Sequence, residues 1–261
     1  MCSRVCFAVW SVDFMQHKLV IDIGNTLTKL GVFKQKRLLC TRWYEAITPQ
    51  DIEEIRRMYP GLDGAIVCTV AREPVFLAKS LANFPYFIDW QSYRPDLKIP
   101  VKLHYRNPET LGRDRVAVAS AVASLYPGEN VLCIVFGSCV TYNVVDKDAC
   151  FLGGAISPGL NMRLRAMHRF TEALPMIDIR QERDTERIDN TQTALYSGAL
   201  DGLRYEVQGY VERYRKQYPD LKIVLTGGNA GYFEKSFNYR IFVHQNLVLR
   251  GLNEILDLNG S

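Results

Sequence analysis

Residues 19–33 read LVIDIGNTLTKLGVF. Lys18 to Ile23 is almost continuously apolar, as expected of a strand buried on both faces. Gly24-Asn25 is a turn, and Thr28 to Phe33 reads as a second strand. Glycine directly after a buried strand lets the backbone turn with its N–H groups pointing inward. Asn25 and Thr26 add side-chain donors, and such a nest binds phosphate oxygens. Asp22 closes the strand, where a carboxylate could hold Mg²⁺ through water.

The pattern recurs. Val131 to Phe136 is a buried strand followed by Gly137-Ser138-Cys139-Val140-Thr141. Leu221 to Leu225 is another, followed by Thr226-Gly227-Gly228-Asn229. Paired glycines there let the backbone approach a flat ligand such as adenine or ribose. In the first half a third strand follows at Arg37 to Tyr44, with Ala65 to Val70 and Tyr86 to Ile88 beyond it. In the second half Cys139 to Val145 and Cys150 to Ile156 repeat the arrangement. Helices are expected after Thr48-Pro49, over 73–81, 116–125, 158–170 and 191–218, and near 246–257. Residues 91–110 form a long loop of the length usually kept for function. Tyr126-Pro127-Gly128 is the break between halves. The predicted fold is thus α/β, two domains with mixed sheets flanked by helices and a nucleotide clamped between them. The boundaries are 19–126 and 127–261, with the last helix expected to pack back on the first domain. Residues 1–18 read as an extension or a mis-assigned start, Met15 being an alternative initiator.

The chemistry of an acceptor lies at Leu111-Gly112-Arg113-Asp114-Arg115, where the long loop meets the Ala-rich helix. Asp114 falls in the first helical turn, where the helix dipole favours its ionised form. It could take a proton from a substrate hydroxyl, since phosphoryl transfer relies mainly on positioning and charge stabilisation. Arg115 is a candidate bidentate anchor for a substrate carboxylate. The basic cluster Arg163, Arg165, His168 and Arg169 reads as a solvated or interface face of its helix. Tyr205, Tyr210, Tyr214 and Tyr218 read as a packing face.

Composition narrows the classes. The chain has 261 residues, 48% hydrophobic and 23% charged, which excludes a disordered tail, a collagen and a coiled coil. Lys plus Arg exceeds Asp plus Glu by 32 − 28 = 4, too little for a nucleic-acid partner. No run approaches ~18 apolar residues, so no membrane span is expected. The seven cysteines form no CxxC pair, and the four histidines have no metal spacing; reduced thiols and a cytoplasmic location follow.

Taken in order, DIGNT at 22–26, LGRDR at 111–115, GGAISPGL at 153–160, NTQTALYSG at 190–198 and LTGGNA at 225–230 resemble the type III pantothenate kinases, members of the acetate kinase/actin-like superfamily. The resemblance spans residues 19–230. It implies two actin-like (ribonuclease H-like) domains and transfer of the ATP γ-phosphate to pantothenate, the first step toward coenzyme A. It implies ATP contacts from Asp22, Ile23, Gly24, Asn25, Thr26, Leu27, Thr28, Lys29, Ser138, Gly227 and Gly228. Tyr105, Gly112, Arg113, Asp114 and Arg115 would line the pantothenate site, with Asp114 as base. Thr191 would reach pantothenate from the partner subunit of a homodimer. The family's second phosphate motif, DxGTAxTxD, here has Val135 and Asn143 in place of its acids. The first acid is the usual ligand of K⁺ or NH₄⁺, and Val135 has no side-chain oxygen, so that site reads as lost. Two rival readings follow from those losses and from the shared fold: a regulatory homologue binding nucleotide without turnover, and a kinase for another small hydroxyl compound.

Overall fold

The computed structural model describes residues 16–69, 75–181, 186–234 and 236–260. Residues 1–15 of the extension expected over 1–18, Val70, the helix start at Glu73 and residues 182–185 lie outside the described residues.

The first sheet contains β1 (His17–Ile23), β2 (Thr28–Lys34), β3 (Arg37–Tyr44), β4 (Leu62–Thr69) and β5 (Tyr86–Trp90), in the order β3-β2-β1-β4-β5. β1, β2 and β3 are an antiparallel meander, while β4 and β5 run parallel to β1. The chain then lays β6 (Lys102–Leu103) on the edge of a second sheet. There β7 (Val131–Phe136), β8 (Cys139–Val145) and β9 (Cys150–Gly153) repeat the meander. Short β10 (Ile156–Pro158) pairs with β8, and β11 (Lys222–Thr226) and β12 (Ile241–Val243) extend the sheet parallel to β7. The order β9-β8-β7-β11-β12 therefore repeats β3-β2-β1-β4-β5. This duplication is the two-domain actin-like arrangement expected from the sequence.

Alternation along the strands stacks the layers. Leu19 and Ile21 point to one face of the first sheet, onto α1 (Pro49–Met58) and α2 (Val75–Leu81). Val20 points to the other, onto α3 (Arg113–Leu125) and α6 (Leu247–Asn259). Cys133 and Val135 of the second sheet meet that same helical layer. Leu132, Ile134 and Phe136 face away, onto α4 (Leu160–Arg169) and α5 (Thr191–Gln217). Helices α3 and α6 are thus sandwiched between two sheets. Their small residues make this possible: a Cβ on Gly251 would sit 1.7 Å from the Ala117 carbonyl oxygen. The α6 helix also packs on β1, β2 and β4, and β6 serves the second sheet. Each half therefore lends one element to the other.

Three boundaries differ from the sequence reading. β1 begins at His17, and Lys18 is buried in an ion pair with Asp257 of α6, so both residues belong to the fold. The strand predicted over 150–156 breaks at Gly153 and Gly154 (φ +88° and +139°). A Cβ on Gly154 would lie 1.9 Å from the Tyr142 carbonyl oxygen, so only glycine fits there. The helix predicted from Pro158 starts at Leu160 with Gly159 as N-cap, because Pro158 is held in β10 opposite Cys139.

Candidate active site

The period-2 pattern of β1 sends Asp22, like Val20, toward the central helices. Asp22 stands opposite Lys29 on β2 and Cys68 on β4 and is 7% exposed. Burial pushes its carboxyl up to about 7, an effect opposed by Lys29 and reinforced by the charge of Asp114. Beyond it the Gly24 N–H donates to the Leu27 carbonyl at 3.1 Å, closing a tight turn with Asn25, Thr26 and Leu27 exposed at its tip. Ile23 and Thr28 anchor the turn from buried positions in the two strands.

Asp114 approaches from the first turn of α3. Burial raises its pKa, countered by the Arg115 backbone N–H and guanidinium. Gly112 is the N-cap, and a Cβ there would fall 2.6 Å from Asp114 Oδ1, so glycine leaves room for the carboxylate to fold back. The two arginines of the motif point apart. Arg113 donates to the carbonyls of Leu111, Glu109 (3.0 Å) and Pro108 (3.4 Å). It clamps the turn before the helix, with its guanidinium turned to backbone and not to an open cleft. Arg115 crosses to the second sheet, donating from Nε to Asn143 Oδ1 (2.8 Å) and from Nη2 to the Tyr142 carbonyl (3.2 Å). Tyr105 lies beside the same guanidinium, its ring against Phe151.

Asn143 was legible in the sequence only as a missing acid. It is fully buried, and Nδ2 donates to Thr141 Oγ1 (3.0 Å) and to the carbonyls of Cys133 and Thr141 (3.3 Å each). Those acceptors fix the amide so that its oxygen faces Arg115. Cys68 lies in an apolar run, where a cysteine reads only as a small buried hydrophobe. It is buried beside Asp22 and Asp114, and burial and both carboxylates push its thiol well up, so it is a neutral backing for the pair. A cysteine inside an apolar strand carries no signal of what lies across the ladder.

The second turn meets the first, and the third packs on the strand end that leads into the second. Ser138 Oγ lies 2.7 Å from Thr26 Oγ1, joining turns 112 residues apart. Gly159 donates its N–H to the Ser138 carbonyl at 3.1 Å, and a Cβ on it would be 2.4 Å from the Gly137 oxygen. Gly227 (φ +100°) packs on β7 so closely that a Cβ would be 2.4 Å from the Phe136 oxygen, and Asn229 N–H donates to that oxygen at 3.2 Å. Gly228 is exposed with open space around it. Thr191 is not brought to this cluster through its own helix: it is exposed in the first turn of α5, on the far face of the second sheet from α3. Val135 points toward the central helices, half-buried among apolar side chains.

Paired buried carboxyls, Asp22 and Asp114, beside glycine turns contributed by both sheets suit transfer of a charged group. No group of three or more His, Cys, Asp or Glu side chains among the described residues could hold a metal by itself. No helix among them is long and apolar enough to cross a membrane.

Solved structures share the fold. One is a protein assigned to the Baf family of transcriptional activators from Campylobacter jejuni, with a TM-score of 0.59 at 19% identity, covering 92% of this chain and 98% of that one. Another is the activator of 2-hydroxyisocaproyl-CoA dehydratase from Clostridium difficile with bound ADPNP, with a TM-score of 0.55 at 12% identity and 94% coverage of each. Sequence relatives are much closer. The type III pantothenate kinase of Christiangramia forsetii is 34% identical over 244 residues, covering 92% of this chain and 98% of that protein. That of Bacteroides fragilis is 36% identical over 244 residues, covering 93% and 98%. Residues 18–213 match the family described as type III pantothenate kinase, and the chain belongs to that family.

Proposed function

We infer that the protein is an ATP-dependent pantothenate kinase, moving the γ-phosphate of ATP to the primary hydroxyl of pantothenate to give 4′-phosphopantothenate for coenzyme A synthesis. The observation that carries this reading is the Thr26–Ser138 contact, which brings both glycine turns together above Asp22 and Asp114. The turn from Gly24 to Lys29 and the turn at Ser138 would hold the phosphates, and Gly227 and Gly228 the adenosine. Asp114 would accept the hydroxyl proton. Arg115 and Tyr105 would place the pantothenate, Arg115 from a guanidinium whose Nε and Nη2 are engaged by Asn143 and the Tyr142 carbonyl, while Gly112 and Arg113 shape and clamp the turn that presents Asp114.

Asp22 fits a divalent cation: it is a buried carboxyl lifted to about 7 beside a second acid, and the charge of Lys29 compensates it only in part. Mg²⁺ there, bound through water, would neutralise charge on the transferring phosphoryl group. A monovalent cation does not fit at the two altered positions. Val135 offers no oxygen, and the Asn143 oxygen is already occupied by Arg115. Thr191 would complete the site from the partner of a homodimer. The five free cysteines among the described residues, none disulfide-bonded, agree with a cytoplasmic enzyme.

A coupled assay with ATP, Mg²⁺ and pantothenate tests the reading. Turnover is expected, persisting when K⁺ is replaced by Na⁺, and Asp114→Asn lowers kcat by about 10²-fold or more. A folded wild-type protein that binds ATP without phosphorylating pantothenate would instead support the non-catalytic reading, which the replacement of both acids favours. Turnover of a different alcohol would mark another substrate.

A further inference from the structure

Glu206 lies in the middle of α5, where a glutamate reads as solvent-facing, yet it is the hub of a half-buried network. Its Oε1 accepts from Tyr142 Oη on β8 (2.8 Å) and from Ser157 Oγ on β10 (2.5 Å). Its Oε2 is paired with Arg163 of α4. Arg163 also donates to the Pro158 carbonyl (2.9 Å) and to Ser157 Oγ (3.3 Å). One carboxylate therefore ties two helices and two strands together. Burial raises its pKa, but the three donors outweigh that effect and hold it below the usual glutamate value.

The segment held this way, Ser157-Pro158, runs directly into Gly159. Gly159 is pressed against the Gly137 and Ser138 backbone and donates its N–H to the Ser138 carbonyl. Ser138 in turn touches Thr26 of the first turn. We propose that Glu206 is a positioning residue for the nucleotide: through Ser157 and Gly159 it fixes the Gly137–Ser138 turn at the height where it meets Thr26. The proposal rests on reading these turns as the holders of the ATP phosphates. Arg163 is accordingly not part of a solvated basic face; of the four basic residues on its helix it is the one turned inward, while Arg165, His168 and Arg169 are exposed.

The test compares KM for ATP with KM for pantothenate in Glu206→Gln and Ser157→Ala. Glutamine keeps the size of the side chain and removes the charge that holds Arg163. The expected result is a rise of about fivefold or more in KM for ATP, with KM for pantothenate within about twofold. Ser157→Ala should move the same constant in the same direction. A role confined to stability would lower the melting temperature and leave both constants unchanged, or shift both alike, and either outcome overturns the proposal. If Glu206→Gln does not fold, Ser157→Ala is read by the same criterion. Calorimetric titration with a non-hydrolysable ATP analogue separates this from the kinase reading. A wild type that binds the analogue but does not phosphorylate pantothenate removes only the latter, and the variant-to-wild-type ratio of Kd then decides the role of Glu206. A wild type that does not bind the analogue overturns both.

Discussion

At the scale of single residues, the glycine turns and the positions of Asp22 at a strand end and Asp114 at a helix start are legible in the sequence, because turn residues and helix starts act locally. Their electrostatics are not. Asp22 is an ordinary aspartate in the sequence, and only the packing of β2, β4 and α3 around it lifts its carboxyl from 3.8 to about 7. A group whose pKa is raised by folding favours the folded state when protonated. In the nucleotide-free protein its contribution is therefore fully present below the unfolded value and is lost as pH rises through about 7. Asp22→Asn mimics the protonated form at every pH. It should melt higher than the wild type at pH 8 in EDTA, by no more than roughly 4 kcal/mol, three pKa units at ~1.4 kcal/mol each. The gap should narrow at pH 5. Thermal melts showing the same gap at both pH values would remove the electrostatic account. Arginines fared differently: Arg113 and Arg115 are two residues apart on one helix, and no sequence argument separates a clamp on backbone carbonyls from a bridge to the other sheet.

At the scale of elements, the Ala-rich run at 116–125 announced a tightly packed helix, and its partner explains the composition. Gly251 of α6 lets the two helices approach until its Cα faces the Ala117 backbone, with a Cβ 2.5 Å from the Ala117 carbonyl carbon. Gly251→Ala forces backbone apart and should lower stability by about 2 kcal/mol or more. The control is Gly209→Ala, exposed on α5 with open space around it, where loss of backbone freedom in the unfolded chain should raise stability by about 0.5–1 kcal/mol. Urea unfolding midpoints moving in the same direction for both would contradict this packing. In the sequence the tyrosine row on α5 reads as one packing face. Tyr210, Tyr214 and Tyr218 do pack on the core, but Tyr205 is 73% exposed. A five-residue step turns the helix by roughly 140° away from the four-residue row.

At the scale of the whole molecule, the first sheet supplies Asp22, the central helix α3 supplies Asp114, and the second sheet supplies Ser138 and Asn143. Thr191 belongs to the outer helical layer, which no path within one chain brings to Asp114. If a partner subunit supplies it, two defective variants should complement each other. Asp114→Asn and Thr191→Ala, each impaired alone, should on mixing, unfolding and refolding together regain up to about a quarter of wild-type sites, one intact site in each mixed dimer. Activity no higher than the average of the separate variants would exclude a shared site.

The sequence by itself determined the duplicated strand–turn–strand plan, the three glycine turns and the acidic helix start, because period, turn residues and helix caps act over a few neighbours. Only the tertiary structure decided that the first two turns meet at Thr26 and Ser138, that Asn143 faces Arg115 with a fixed amide, and that Glu206 holds the strand leading into Gly159. Those contacts join residues 28 to 112 positions apart. Their energies depend on burial and on which side chains share a layer, quantities that exist only once both sheets have closed on the helices between them.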